Sequence, residues 1–204
     1  MAFFDFLKKR TSALPRVPEL GDRVGEFKDN NLDQLLADRA IFLQTDINDE
    51  AANLVIAKLL FLQMSDRKAP ITLYVDSAGG SVTASFAILE TMDFVSCPVQ
   101  TYCLGIAAGI AAQIVAHGRR GRRFALVNSE MMFGRTVAEL SGNPAGSEDI
   151  AAYIEKVNTR IVTTFVKDTG RDVETVRLAM EREKFFTASE AREFGLIDEV
   201  ITKQ

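Results

Sequence analysis

The chain has a single histidine, His117, among 204 residues, together with no tryptophan, two cysteines and five prolines. One imidazole excludes any mechanism that needs two, HExxH zinc chemistry included. A Ser-His-Asp or Cys-His mechanism must use His117 or borrow a histidine from another chain. Cys97 and Cys103 make no CxxC pair, which argues against a zinc knuckle. On one strand their spacing would be about 20 Å, too long for a disulfide. They read as small buried apolar residues in a reducing compartment. No run approaches the roughly 18 apolar residues of a membrane span. The opening MAFFDFLKKR places its charges after its apolar residues, the reverse of a secretory signal. A cytoplasmic location is therefore expected. Lys+Arg number 24 against 28 Asp+Glu, a formal net charge of −4. Without a large positive footprint, neither nucleic acid nor an anionic membrane is an expected partner.

What is present fits one soluble α/β domain, with 47% hydrophobic and 25% charged residues. Residues 1–30 read as an irregular arm, with Pro15, Pro18, Gly21 and Gly25 among charges. A short helix is expected at 31–38 and a buried strand at 40–45. Asn48, Asp49 and Glu50 then supply a cap and negative charge to a helix over 49–64. Its apolar residues wrap most of the way round, which predicts deep burial or a subunit interface. Strands at 71–75 and 98–104 alternate with helices at 81–94 and 107–117, with Gly105 expected to break the second strand. That alternation predicts a parallel sheet with helical crossovers. Short strands are expected near 123–127 and 130–134. The polar stretch 135–147 leads into a helix at 148–168 with one apolar stripe. Another short helix at 172–180 follows. Thr187 and Glu190 form a capping box, and Gly195 supplies the stop before residues 196–201.

Two segments can carry chemistry. DSAGGS at 76–81 is a glycine turn after a strand, but it matches neither GxxxxGKS/T nor GxGxxG. Gly79 and Gly80 instead let backbone amides approach a ligand, either an extended peptide or an oxyanion. GIAAGIA at 105–111 lies at a strand-to-helix junction, where unpaired N–H groups suit a nucleophile, yet its side chains are inert. His117 belongs at the far end of that helix, about 12 Å from Gly109, where a protonated imidazole favours the dipole. Arg119, Arg120, Arg122 and Arg123 read as a solvated turn or a subunit salt-bridge site.

Several separated motifs in order give the chain a strong resemblance to the proteolytic subunit of the Clp protease family. They are AANLVIAKLLFL at 51–62, LYVDSAGGSVTASFAILETM at 73–92, GRRFALVNSEMM at 121–132 and EREKFFTASEAREFGLIDEV at 181–200. The resemblance runs from about residue 39 to residue 200. It implies a single crotonase-like domain over 31–204 with a protruding strand-helix handle at about 135–168. It also implies a self-compartmentalised serine peptidase built from stacked heptameric rings. The partners it implies are other subunits of the same type, a docking AAA+ unfoldase, and unfolded polypeptide in the chamber. No metal and no cofactor is implied.

Carried across by motif, the family's serine falls on Gly109, its histidine on Gly134 and its aspartate on Glu183. Arg135 stands beside Gly134, where the family usually has glutamine, and Ala78 stands where it usually has proline. Gly80 and Ile110 are placed to supply two oxyanion amides, with Gly79 beside them. No catalytic residue is intact, so the resemblance is nearest to the non-catalytic ClpR-like paralogues that assemble with active subunits. Two alternatives remain open. One is a crotonase-type acyl-CoA enzyme with Glu183 moving protons; the other is a peptidase using an unrecognised group such as Ser77, Ser81 or Cys103.

Overall fold

Strand β3 (Val99–Ala108) organises the sheet, because it pairs in parallel with three others. These are β2 (Ile71–Ser77), β4 (Arg123–Leu126) and β5 (Glu130–Met132). The computed structural model describes residues 30–134 and 147–202; the arm up to residue 29 and the polar stretch 135–146 lie outside the described residues. The chain divides into two units, Met1–Gln34 and Leu35–Gln204.

Strand β1 (Ala40–Leu43) flanks β2 in the order β1-β2-β3-β4-β7, where β7 is Glu199–Ile201. Beyond β5 lies the short antiparallel β6 (Phe185–Thr187), which the sequence reading did not include. The helices are α1 (Asn30–Ala37), α2 (Asp49–Ser65), α3 (Val82–Phe94), α4 (Ile110–Ala116), α5 (Ser147–Thr169), α6 (Val173–Glu181) and α7 (Ala188–Phe194). Every element expected within the described residues is present, with ends displaced by a few residues.

Caps explain where helices begin. The Asn48 side chain accepts from the Ala51 amide and Asp49 and Glu50 follow in the first turn, so α2 starts as the sequence indicates. The Thr187–Glu190 capping box opens α7, and Gly195 closes it in the left-handed conformation, φ 96°. Deep burial of α2 is not what forms, however. Ala52, Val55, Leu59 and Leu62 are buried, while Leu54, Phe61 and Met64 stand exposed, Met64 by 83%. One face satisfies the core and leaves the opposite apolar face open.

The expected break at Gly105 is also corrected. β3 continues through it and changes neighbours there: Thr101–Cys103 face β4, and Ile106–Ala108 face β5. Val75 faces Cys103 while Ser77 faces Ala107, so β3 bulges against β2. Asp76 fills the bulge, its Oδ1 accepting from the Ile106 amide at 2.9 Å. A Cβ at position 105 would lie 2.7 Å from that oxygen, so a side chain there would have to push the Asp76 carboxylate off the Ile106 amide.

The two sides of the sheet differ. Ile41, Leu43, Leu73, Val75, Cys103 and Ala125 are buried. On the alternate positions Phe42, Tyr74, Tyr102 and Phe124 stack rung on rung, with centroids 4.9, 5.2 and 4.6 Å apart. Burial first, then the neighbouring Tyr74 and Glu199, pushes the Tyr102 phenol up to about 12.

Two arginines hold loops together. Arg39, at φ 61°, donates to the carbonyls of Leu62, Asp66, Ala69 and Pro70, which offsets its left-handed backbone. Arg123 is the exception among the four clustered arginines. It is buried, bidentate to Asp198 through 2.7 and 3.0 Å bonds, and donates to the Ala116 and Asp168 carbonyls. Burial alone would raise the Asp198 carboxyl; the hydrogen bonds and charge of Arg123 hold it below its ordinary value.

His117 caps the C-terminus of α4, as its position suggested, and it is buried there. Its Nδ1 lies 2.9 Å from Asp168 Oδ2 on α5, and its Nε2 3.2 Å from Asp93 Oδ1 on α3. Lys167 Nζ in turn sits 3.5 Å from Asp93 Oδ2. Burial lowers the imidazole pKa and Lys167 opposes the charge, but the hydrogen bond to Asp168 and the two carboxylates outweigh them, so the net shift is upward. The clasp therefore contributes its full stability below about pH 6.5 and loses it as pH rises through the elevated pKa. Urea unfolding should show stability falling as pH rises above about 6.5, and His117→Gln should flatten that slope.

Candidate functional site

Two backbone hydrogen bonds bring distant segments to one place. The Gly109 amide donates to the Met132 carbonyl at 2.9 Å, tying the β3–α4 junction to the end of β5. The Phe133 amide donates to the Lys184 carbonyl at 3.0 Å, tying that end to the turn after α6. Phe133 is fully buried, its ring 4.4 Å from Phe165 and 5.1 Å from Phe186, so residue 134 emerges from a fixed anchor. Gly109, Gly134 and Glu183 consequently line one cavity of about 310 Å³. Ala78, Gly79, Gly80, Val82, Ile110, Met132 and Ile161 complete it.

Gly109 is the N-cap of α4 and lacks a capping side chain, with φ 55° and ψ −119°. This is a sharp strand-to-helix turn in a backbone region where L-residues are strained. A Cβ built at 109 meets nothing within 4 Å, so a side chain there would enter open space. A Cβ at Gly134 would lie 3.3 Å from the Gly109 Cα. Side chains at the two positions would therefore adjoin, and neither position has one.

Glu183 is exposed and stands in the left-handed region, φ 47°. The cause is the C-terminus of α6. The Lys184 amide donates to the Ala179 carbonyl and the Glu183 amide to Met180, a Schellman closure with Glu183 at the place glycine usually takes. A non-glycine residue there costs about 1–2 kcal/mol.

The glycine turn is positioned by the loop before α2. The Ile47 amide donates to the Gly79 carbonyl at 2.8 Å, and the Ser81 amide to the Ile47 carbonyl at 2.7 Å. Ser77 Oγ donates to the Thr45 carbonyl at 2.7 Å. Gly79 donates its own amide to Ser77 Oγ, so it lines the cavity without offering that N–H. Among the described residues, the amides of Gly80 and Ile110 have no acceptor. Both residues line the cavity, so both backbone groups are available to it as donors.

The other nucleophile candidates are engaged elsewhere. Ser81 Oγ caps α3 by accepting from the Ala84 amide. Cys103 is buried in β3 outside the cavity lining, and burial pushes its thiol up to about 11. His117 lines a separate cavity of about 490 Å³. Among the described residues, no three His, Cys, Asp or Glu side chains are grouped to hold a metal, and no helix is long and apolar enough to cross a membrane. The weave that unites 109, 134 and 183 has one sequence signal that was not read as a strand: FFT at 185–187, a short β-prone run inside the last motif that becomes β6.

The strained positions make a paired prediction. Gly109→Ala should lower stability by about 1–3 kcal/mol despite the open space. Glu183→Gly should raise it, lifting the melting temperature by about 2–4 °C. Calorimetry of both variants reads the two signs.

The strand-bound cavity, the glycine turn over it and the closing α6–β6–α7 segment share an independent match. The Clp protease family pattern covers residues 23–204, which includes every described residue. By that match, the chain belongs to the Clp protease family.

Proposed function

We propose that this chain is a non-catalytic subunit of a Clp-type protease, of the kind the ClpR-like paralogues represent. One observation carries the reading: glycine occupies both 109 and 134, the positions matching the family's nucleophile and base. Glycine offers no oxygen to attack a carbonyl and no nitrogen to take a proton. With two of three members missing, the acyl-enzyme route is closed, whatever the amides of Gly80 and Ile110 still bind.

The role is then structural or regulatory. The subunit takes a place in stacked heptameric rings beside active paralogues, shaping the chamber that holds unfolded polypeptide, in the cytoplasm. A AAA+ unfoldase docks on the ring face, and the domain is of crotonase-like type. The open apolar face of α2, with Leu54, Phe61 and Met64, supports a contact within a ring. The handle, about 135–168, includes most of α5, whose Ile150 and Tyr153 are exposed, and it suits a contact between rings. An acyl-CoA enzyme would draw on the same two amides and on Glu183, but the family match over 23–204 favours the protease subunit.

Native mass spectrometry tests the role. Co-expressed with an active paralogue from the same source, the chain should appear in mixed rings. A closed homo-oligomer that excludes the paralogue would refute this placement.

A further inference from the structure

Glu183 supplies the only charged side chain lining the Gly109 cavity among the described residues. Every other lining residue is glycine, alanine or apolar, with Val82, Met132 and Ile161 giving the walls their bulk. The carboxylate makes no ion pair among the described residues. Its neighbour Lys184 does not neutralise it, because that ammonium lies over the Phe186 ring, 4.7 Å from the centroid. The backbone does not account for a glutamate here either, since the Schellman turn at 183 would form more easily with glycine. What the position gains from glutamate is its side chain.

From this we infer that the cavity is a binding pocket for a basic side chain, lysine or arginine, of an extended polypeptide. The glycines at 109 and 134 leave room for the methylene stem, Met132 and Ile161 give it an apolar wall, and Glu183 meets the cationic head. The free amides of Gly80 and Ile110 are available to the peptide's own carbonyls. The inference rests on the non-catalytic reading, because polypeptide held here is bound and released unchanged. The subunit would then select among chain segments by charge without cutting them.

Three fluorescein-labelled pentapeptides provide the test: acetylated alanine peptides with lysine, norleucine or glutamate at the centre. Norleucine keeps the stem and removes the charge. Anisotropy titrations of the full-length protein at low salt should show the lysine peptide binding roughly fivefold tighter than the norleucine peptide, and the glutamate peptide weakest. The preference should vanish in Glu183→Gln, and equally in Glu183→Gly, whose fold is the more relaxed. High salt should reduce it. Equal binding of lysine and norleucine peptides, no binding of any, or a lysine preference that survives Glu183→Gln would overturn the inference. Mass spectrometry of the same mixtures keeps the two readings apart. Cleaved peptide would refute the non-catalytic role, whereas intact peptide without lysine preference refutes only the basic-side-chain pocket.

Discussion

Everything at the candidate site depends on how β3 ends. Beyond Cys103 the strand gives up β4 and takes β5 as its neighbour, a change allowed by the bulge that Asp76 fills against Gly105. Two residues after its last β5 partner but one, the chain reaches Gly109, turns at φ 55° and enters a helix whose seven residues are all buried. The turn is locked by the hydrogen bond from Gly109 to Met132, and through Phe133 that lock extends to Lys184. The geometry is thus imposed by the backbone and by buried aromatic packing. No side chain of the site has to hold it in place.

That separation is what would let the scaffold persist in the non-catalytic subunit proposed above. A nucleophile at 109 would sit on a strained turn, a cost that activity requires and that glycine avoids. At 183 the opposite holds, because a strained glutamate stands where glycine would relax the chain. On the proposed reading, the site has no side chain at 109 and 134, where one would react, and keeps one at 183, where it would bind. Within a family whose members cut peptides, such a pattern suits a subunit that contributes shape and charge to a shared chamber.

The sequence made much of this legible. Alternating apolar runs located the parallel strands and crossover helices, because burial on both faces leaves a continuous signal. The capping residues at 48, 187 and 195 located helix ends through local hydrogen bonding alone. What failed to show was long-range. Gly105 reads locally as a breaker, and only the Asp76 carboxylate 29 residues earlier in the chain makes it part of a strand. Three-residue β6 has too little pattern to stand out, although its backbone carries Glu183 to the cavity. Arg123 looks like its exposed neighbours until Asp198 is brought beside it. Helix length alone places His117 well away from Gly109, but its two aspartate partners come from other helices.

The most direct measurement is reaction of the purified chain with a fluorophosphonate, followed by intact-mass and peptide-level mass spectrometry, with an active Clp-type subunit as control. The account predicts adduct on the control and none on this chain, at any residue, over the same exposure. A stoichiometric adduct on one serine of this chain would contradict it, because a nucleophile activated by some other arrangement would then exist in the fold.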